Sequence, residues 1–374
     1  MIKRNLVIFS CLLFLASCSK PLSGEEIGTF SELGNSKYVI GFSDIIDPGS
    51  KIALFNEEGD LLEDLKFPGL NLSDSVASED RLYIAGHRGY QHAEIERSTG
   101  ILSVLKHPEK ADGWGGAYQM NVDSGYLFYD VNAGATEDSN GKYISYFVFG
   151  EENQEDRIVT EVEGTIHTAF LIEDEFYVYT ESEKISGDDD HLEAEYFHNF
   201  FIINKETGEV KDKMVLDIDE NIFPTNTSNK IYSIFNDQIM MSFSDGDQSK
   251  DTQLVSFDWR TGTVEVVKTF PLSFRPIALI PYQDTLMIIN ESGSAKVLDD
   301  DYSEVNEFTI DADFDKFVDL YVGENQLFFL TYDNSNSEIN GEISTFELAD
   351  GKKSNEVPIR YDKDYEQAKL IVVE

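Results

Sequence analysis

The sequence predicts an all-β fold, a seven-bladed β-propeller whose blades each contain four antiparallel strands. From residue 37 onward, short runs of Val, Ile, Phe, Tyr and Leu are separated by Gly, Asn, Asp and Ser, which is the pattern of strands and turns. The seven strongest runs begin at residues 37, 81, 125, 175, 238, 285 and 326. Units of roughly 40–45 residues with four strands each are typical of propellers. A pair of β-sandwiches is the alternative, but it does not account for this near-regular spacing.

The runs within each unit follow one another in a fixed order. An apolar run such as "PIALIPY" (276–282) precedes the strongest run, and two further runs follow it, so we name the four strands a to d in chain order. The turn between c and d often contains Thr-Gly, as in "ERSTGIL", "NKETGEV" and "DWRTGTV". The repeat over residues 37–374 resembles the YVTN and quinoprotein-like propeller families, whose blades pair a "LYV"-type strand with a "VxxID"-type strand and a Thr-Gly turn. The resemblance implies the fold, and a fold alone does not imply a function.

The two ends of the repeat complement each other. The first unit lacks an a strand before Lys37, whereas the chain finishes with an additional apolar run, "EQAKLIVVE" (366–374). We expect residues 367–373 to form the innermost strand of the first blade by pairing with residues 38–43. Such closure removes the exposed edges that an open sheet would leave.

The N-terminus predicts export and a lipid anchor. Lys3 and Arg4 precede an apolar stretch, Leu6 to Ala16, that is too short for a comfortable membrane span. Leu15-Ala16-Ser17-Cys18 then resembles the lipobox of bacterial lipoproteins, which implies cleavage before Cys18 and lipidation of its thiol. The alternative is an ordinary secretory signal with a chance cysteine. We therefore expect a signal peptide over 1–17, a lipidated cysteine and flexible tether over 18–36, a propeller over 37–374, and an extracytoplasmic, lipid-anchored location.

Composition excludes several function classes. The formal net charge is −42, so the surface repels nucleic acid and anionic lipid headgroups, and we expect no nucleic-acid partner. The chain has two cysteines; cleavage would remove Cys11 and lipid would occupy Cys18. No cysteine would remain for a disulfide, a thiolate metal site or a nucleophile.

The lengths of the connections between strands indicate which end of the propeller carries the binding face. In an antiparallel meander, the a–b and c–d turns lie at one end, which we call the short-turn end, and the b–c and d–a connections lie at the other, the long-loop end. The longest connections, such as 107–118, 132–142, 182–196 and 217–229, all belong to the long-loop end. Because long loops on rigid scaffolds usually carry function, we place the binding face there. The alternative is that these loops have simply drifted in length.

Several side chains at the long-loop end are ligand-binding candidates. Arg88, Arg275 and Arg360 are scarce cations that could bind a carboxylate or phosphate, or could each pair with a nearby Asp or Glu. Trp114, between glycines in "DGWGGAY", could stack on a ligand or fill the gap between blades. His167 begins an a strand and should line the central channel.

One acidic segment suggests a metal. In "SDGDQSKD", Asp245, Asp247, Ser249 and Asp251 stand at alternate positions, as in the start of a calcium loop. Lys250, however, stands at the glycine position and Ser256 at the closing glutamate. Calcium is therefore a possible cofactor, and the sequence indicates no other. The "GDDDH" run at 187–191 is more typical of a solvated loop.

The preferred function is binding of a small-molecule ligand or a protein partner, without catalysis. The first alternative is a propeller enzyme; propeller lactonases and lyases place His, Glu and Arg at the channel mouth, and His167, Arg88 and Arg275 resemble that arrangement. The second alternative is a scaffold subunit of an envelope complex, similar to outer-membrane assembly propellers. The sequence contains no HExxH, GxSxG, P-loop or GxGxxG motif.

Overall fold

The computed structural model shows seven antiparallel sheets, each of which is one propeller blade. The structure describes residues 24–47, 49–88, 91–111, 116–117, 119–135, 142–188, 191–218, 222–225, 229–245, 251–333, 340–360 and 364–373. For residues 135, 185–188, 191–194, 229 and 245 it describes the backbone alone. Within these residues the helical content is three single-turn 3₁₀ helices, at Leu33–Asn35, Asn229–Ile231 and Phe314–Lys316.

Within each blade the strands follow one another across the sheet in the order a, b, c, d. Blade 1 contains Gln367–Val372, Tyr38–Ser43, Ser50–Phe55 and Leu61–Phe67. Blade 2 contains Leu72–Ala77, Arg81–Gly86, Ala93–Glu96 and Ile101–Val104. Blade 3 contains Met120–Asp123, Tyr126–Ala135, Tyr143–Glu151 and Ile158–Glu163. Blade 4 contains Thr165–Ile172, Glu175–Asp188, His191–Asn204 and Val210–Val215.

The remaining blades follow the same order. Blade 5 contains Tyr232–Phe235, Gln238–Asp245, Thr252–Asp258 and Thr263–Phe270; a further segment, Ile222–Pro224, pairs with the far half of its b strand. Blade 6 contains Pro276–Tyr282, Thr285–Asn290, Ser294–Leu298 and Glu304–Thr309. Blade 7 contains Phe317–Val322, Gln326–Tyr332, Gly341–Glu347 and Lys353–Ile359. The predicted all-β, seven-bladed fold is confirmed, and the sandwich alternative is wrong.

The Thr-Gly turns explain why glycine recurs between the c and d strands. Gly100, Gly208 and Gly262 have φ values of 74°, 72° and 73°, in the left-handed region that side chains disfavour. Each donates its N–H to the carbonyl four residues earlier, which closes a tight turn. At Gly100 an added Cβ would lie 2.1 Å from the Phe30 carbonyl oxygen, so this position also lacks space.

The apolar core is divided among the interfaces between blades. Among the described residues, buried apolar side chains form seven clusters, one between each pair of neighbouring blades. Between blades 7 and 1, Phe328 and Ile343 pack with Ile40 and Phe42. Every residue of the b strand Tyr38–Ser43 is buried, as expected for a strand covered on both faces. The ring is thus stabilised blade against blade.

The C-terminal strand lies innermost in blade 1. Gln367–Val372 pairs antiparallel with Tyr38–Ser43, and Ile40 lies opposite Leu370. This strand also lies beside the a strand of blade 7, because the Leu370 N–H donates to the Asp319 carboxylate at 2.9 Å. The blade 1 sheet therefore contains both ends of the predicted repeat.

The described part of the predicted tether is folded against the propeller. Glu26–Thr29 pairs with Ile101–Val104 as a fifth, outermost strand of blade 2. Phe30 and Leu33 are 2% and 5% exposed and pack in the core between blades 1 and 2. The prediction of a flexible tether is therefore wrong for residues 24–36. The strand has only four residues, so its alternation was too weak to be recognised. The buried Phe30 and Leu33 and the partly buried Ile27 hold the segment in place.

The predicted loop over 182–196 is largely a β-hairpin. The b and c strands of blade 4 pair continuously from Glu175↔Asn204 to Asp188↔His191. The a strand pairs with b only as far as Glu181, and the d strand pairs with c only from Asn199 onward. The outer part of the hairpin therefore extends beyond the four-stranded sheet at the long-loop end. Its alternating Leu192, Ala194 and Tyr196 are a strand pattern.

Candidate binding site at the channel mouth

A cavity of about 580 Å³ lies at one end of the central channel. Leu72, Phe317 and Gln367, the first residues of three a strands, line it together with residues from blades 5 and 6. Each a strand begins where a d–a connection ends, so the cavity lies at the long-loop end, where the sequence placed the binding face. We call it the channel-mouth cavity.

Two lysines and a buried aspartate form the charged centre of this cavity. Lys369 Nζ lies 3.3 Å from Asp319 Oδ1, and Lys230 Nζ lies 3.9 Å from the same atom. The Asp319 side chain is 5% exposed, whereas the lysine side chains are 20% and 22% exposed. The carboxylate is thus enclosed, whereas the two lysine side chains, which line the cavity together with Glu366, stay partly exposed.

Asp319 also joins two blades. Its Oδ2 accepts the Leu370 N–H across the boundary between blades 7 and 1. Asp74 occupies the equivalent position in blade 2, and its Oδ2 accepts the Met120 N–H of blade 3 at 2.9 Å. Both aspartates follow a bulge in the a strand, which turns the carboxylate toward the next blade. Burial raises the pKa of Asp74, and the nearby Lys230 opposes this rise.

Sequence reasoning missed these four charged residues, although a signal was present. Asp74 and Asp319 lie in "LSDSVA" and "FVDLYV", and Lys369 lies in "QAKLIV". A charged residue within an apolar innermost strand is uncommon, because burial of a charge is costly unless a partner is provided. Which charges pair across the channel depends on how the ring closes. The ring brings together residues that are far apart in the chain, such as Ser75 and Leu370, which are 295 positions apart and hydrogen-bonded.

A second set of polar side chains, His167 and Glu181, lies in blade 4. His167 is at the bulge of the a strand, and its Nε2 lies 3.8 Å from Glu181 Oε2 on the b strand. Burial lowers the pKa of His167 to about 4, and burial together with the nearby Glu183 raises the pKa of Glu181 to about 7. His167 is therefore neutral at pH 7, and the two groups do not form an ion pair there. His167 lies on the a strand as predicted.

Neighbouring side chains fix the environment of this pair. Tyr179 Oη lies 2.7 Å from His198 Nδ1, and His198 Nε2 lies 3.0 Å from the Ile222 carbonyl oxygen. His198 therefore donates from Nε2 to that carbonyl and accepts the Tyr179 hydroxyl proton at Nδ1. His167 Nε2 and the Tyr232 hydroxyl are buried without a hydrogen-bond partner among the described residues. The blade 4–5 interface thus combines a carboxyl that titrates near neutrality with unsatisfied polar atoms.

The three predicted arginines lie at the long-loop end but are dispersed around it. Arg88 Nη1 donates to the Ile45 carbonyl at 3.2 Å, which links the b–c connections of blades 2 and 1. Arg275 is half-buried immediately before the a strand of blade 6, and Arg360 is exposed after the d strand of blade 7. Within the part of the chain that the structure describes, none of the three lines the channel-mouth cavity. Trp114 lies outside the described residues.

The predicted calcium ligands are only partly described. Asp251 is exposed, and its Oδ1 accepts the Leu272 N–H at 3.2 Å. Asp247 and the side chain of Asp245 lie outside the described residues. Among the residues that are described, no group of three or more His, Cys, Asp or Glu side chains could hold a metal ion. Calcium binding stays a prediction.

Comparisons with known proteins support the fold. The computationally designed Ika8 protein aligns with a TM-score of 0.50 at 10% identity, covering 90% of each chain. A functionally unknown protein from Desulfotomaculum acetoxidans aligns with a TM-score of 0.51 at 9% identity, covering 91% of this chain and all of that one. BamB from Moraxella catarrhalis aligns with a TM-score of 0.39 at 8% identity, covering 78% and 92%, which is too weak to support a conclusion.

These similarities show the propeller and nothing about its ligand. No family model matches the sequence, and no curated protein matches it. The resemblance to YVTN and quinoprotein-like families therefore stays a prediction. Among the described residues, no helix has the length and apolar character needed to cross a membrane.

Proposed function

We propose that this protein is an extracytoplasmic lipoprotein, anchored to a bacterial membrane through Cys18, whose propeller binds a small charged ligand without catalysis. The observation that supports binding is the channel-mouth cavity, a space of about 580 Å³ that Lys230 and Lys369 line. This volume suits a small molecule, and concave sites with a few convergent polar groups are the usual form of ligand sites. The proposed binding face is the long-loop end.

The anchor is tested by Cys18→Ser expressed from the full-length gene. If Cys18 carries the lipid, the wild-type protein fractionates with membranes, and the variant is either unprocessed or released in soluble form. A processed Cys18→Ser protein that stays on the membrane would contradict the proposal. Mass spectrometry of the N-terminal peptide reads out the lipid directly.

Ligand binding is tested by thermal shift with defined probes. We expect a carboxylate, a phosphate or an amino acid at millimolar concentration to raise the melting temperature, because a ligand that binds the native state stabilises it. Lys230→Met should abolish the shift, whereas Lys211→Met, on the exposed d strand of blade 4, should retain it. A shift that survives Lys230→Met would exclude the channel-mouth cavity as the site. Calcium belongs in the same screen as the test of Asp245, Asp247 and Asp251.

Blade 4 favours one second candidate, an enzyme of lactonase or lyase type. A Glu181 carboxyl with a pKa of about 7 suits a general base or acid at neutral pH. The adjacent neutral His167 and the Tyr232 hydroxyl are buried polar groups whose side-chain atoms lack a hydrogen-bond partner among the described residues. A lactone panel assayed by proton release tests this candidate; activity that Glu181→Gln abolishes would support it, and activity unchanged in Glu181→Gln would exclude this site.

A further inference from the structure

The N-terminal strand determines where any anchor must leave the propeller. Glu26–Thr29 runs antiparallel to the d strand of blade 2, with Glu26 beside Ser103 and Thr29 beside Ile101. The Gly24 N–H donates to the Val104 carbonyl at 2.9 Å, and the Phe30 N–H donates to the Gly100 carbonyl at 2.9 Å. A d strand ends at the long-loop end. The chain therefore enters blade 2 at its long-loop end and proceeds toward the short-turn end.

The connection from Cys18 to this entry point is short. Six residue steps separate Cys18 from Gly24, and a fully extended chain of that length spans at most about 20 Å. A blade strand of six residues is itself about 20 Å long. If the short-turn end lay against the bilayer, the connection would have to run along the whole height of the blade to reach the lipid. That path would use up its entire length. The packed Phe30 and Leu33 prevent the strand from peeling away to lengthen the connection.

We infer that the long-loop end of the propeller is its membrane-proximal end, and that this end faces the lipid surface. The inference rests on the proposed lipid at Cys18. The channel-mouth cavity would then open toward the bilayer, and the short-turn end would face away from it. Because the chain has a net charge of −42, electrostatic attraction to anionic lipid does not produce this orientation; the short anchored connection does.

The orientation is measured with single-cysteine reporters on the purified, lipid-bearing protein in phosphatidylcholine vesicles. Cleavage and lipidation leave no other free thiol, so each introduced cysteine is the one labelled position. Glu109→Cys and Ser98→Cys are exposed at the long-loop and short-turn ends of blade 2. Glu291→Cys and Asp284→Cys are the corresponding exposed pair on blade 6. A fluorophore at each site is quenched by phosphatidylcholine that carries a nitroxide on its headgroup.

We expect strong quenching at residues 109 and 291 and little at residues 98 and 284. Equal quenching at 109 and 98 with none on blade 6 would mean that the propeller lies on its edge, and it would overturn the inference, as would stronger quenching at 98 and 284. A flexible Gly-Ser insert of 20 residues between residues 23 and 24 should abolish the asymmetry, since its connection spans about 28 Å on average. A protein that does not float with the vesicles shows instead that the lipid anchor is absent, which is a failure of the proposed function.

Discussion

One side chain at the channel, Asp319, both joins neighbouring blades and contributes charge to the proposed ligand site. Asp319 accepts a backbone N–H from the neighbouring blade and lies beside Lys369 and Lys230, so it contributes both to ring assembly and to the charge of the proposed ligand site. Asp74 repeats the blade-joining contact between blades 2 and 3. A polar residue in an innermost strand is therefore evidence of contact between blades as well as of ligand binding.

Asp319→Ala should destabilise the fold by about 3 kcal/mol. The substitution leaves two lysines beside each other without their carboxylate and removes the acceptor for the Leu370 N–H, and loss of one partner of a buried ion pair is strongly destabilising. Asp319→Asn keeps an acceptor and should cost less. Urea unfolding measures both, and the exposed Asp311→Ala is the control. Equal stability of Asp319→Ala and the control would show that this contact does not hold the ring.

Glu181 should make stability depend on pH. Its pKa rises from 4.5 to about 7 on folding, so the native state binds the proton more tightly than the unfolded state. The stabilisation is complete below pH 4.5 and is lost as the pH rises through 7. Gln does not titrate, so Glu181→Gln does not lose this stabilisation. The free energy of unfolding of the variant, relative to that of the wild type, should therefore rise by about 2 kcal/mol from pH 5 to pH 8. A difference between the two proteins that stays constant with pH would contradict the raised pKa.

His167 titrates in the opposite sense and must be controlled. Its pKa falls to about 4 in the native state, so its own contribution rises with pH between 4 and 6.5. The groups that face Glu181 also include Glu183, Tyr232 and His198. The same comparison can be made in proteins that carry His167→Gln, which removes the opposing titration. The difference in unfolding free energy between Glu and Gln at position 181 should still depend on pH in that background.

At the scale of elements, two segments that composition marks as loops are strands. Residues 24–36 have the Ser, Gly and Glu content of a tether, yet Glu26–Thr29 completes the sheet of blade 2. The 182–196 segment is acidic, yet it forms most of a hairpin. In both cases a few apolar side chains, such as Phe30 in the first and Tyr196 against Phe223 in the second, are enough to place the segment.

Phe30→Ala should destabilise the protein by about 3 kcal/mol, because it empties a buried site between blades 1 and 2. Ile46→Ala is the matched control, since Ile46 is 73% exposed, and it should change stability by less than about 0.5 kcal/mol. Denaturant unfolding compares the two. If Phe30→Ala behaves like Ile46→Ala, residues 24–36 are a tether after all.

At the scale of the whole molecule, stability depends on the ring. Seven interblade clusters among the described residues lie in a closed series, and blade 1 contributes to two of them. Each blade alone has two apolar faces and would expose both in water. An interruption at one blade therefore removes burial from both of its neighbours.

Deleting residues 366–374 should cause aggregation instead of a modest loss of stability. The deletion removes every pair between Gln367–Val372 and Tyr38–Ser43 and leaves an apolar strand edge exposed. Deleting Glu374 alone is the control and should leave solubility unchanged. Size-exclusion chromatography and thermal unfolding distinguish the two, and a monomeric 1–365 protein with wild-type stability would contradict the role of this strand.

The fold class and the number of blades could be predicted from the sequence alone. These follow from local patterns, since strand periodicity, turn residues and their spacing are all visible within one unit. The three-dimensional structure was needed to show that Asp319 lies beside Lys369 and Lys230 and that Glu181, whose pKa is raised to about 7, lies beside His167. It was also needed to show that Arg88, Arg275 and Arg360 do not line the channel-mouth cavity. These relations depend on how the blades are arranged around the ring and on how far each side chain is desolvated. The periodicity of a single strand predicts neither.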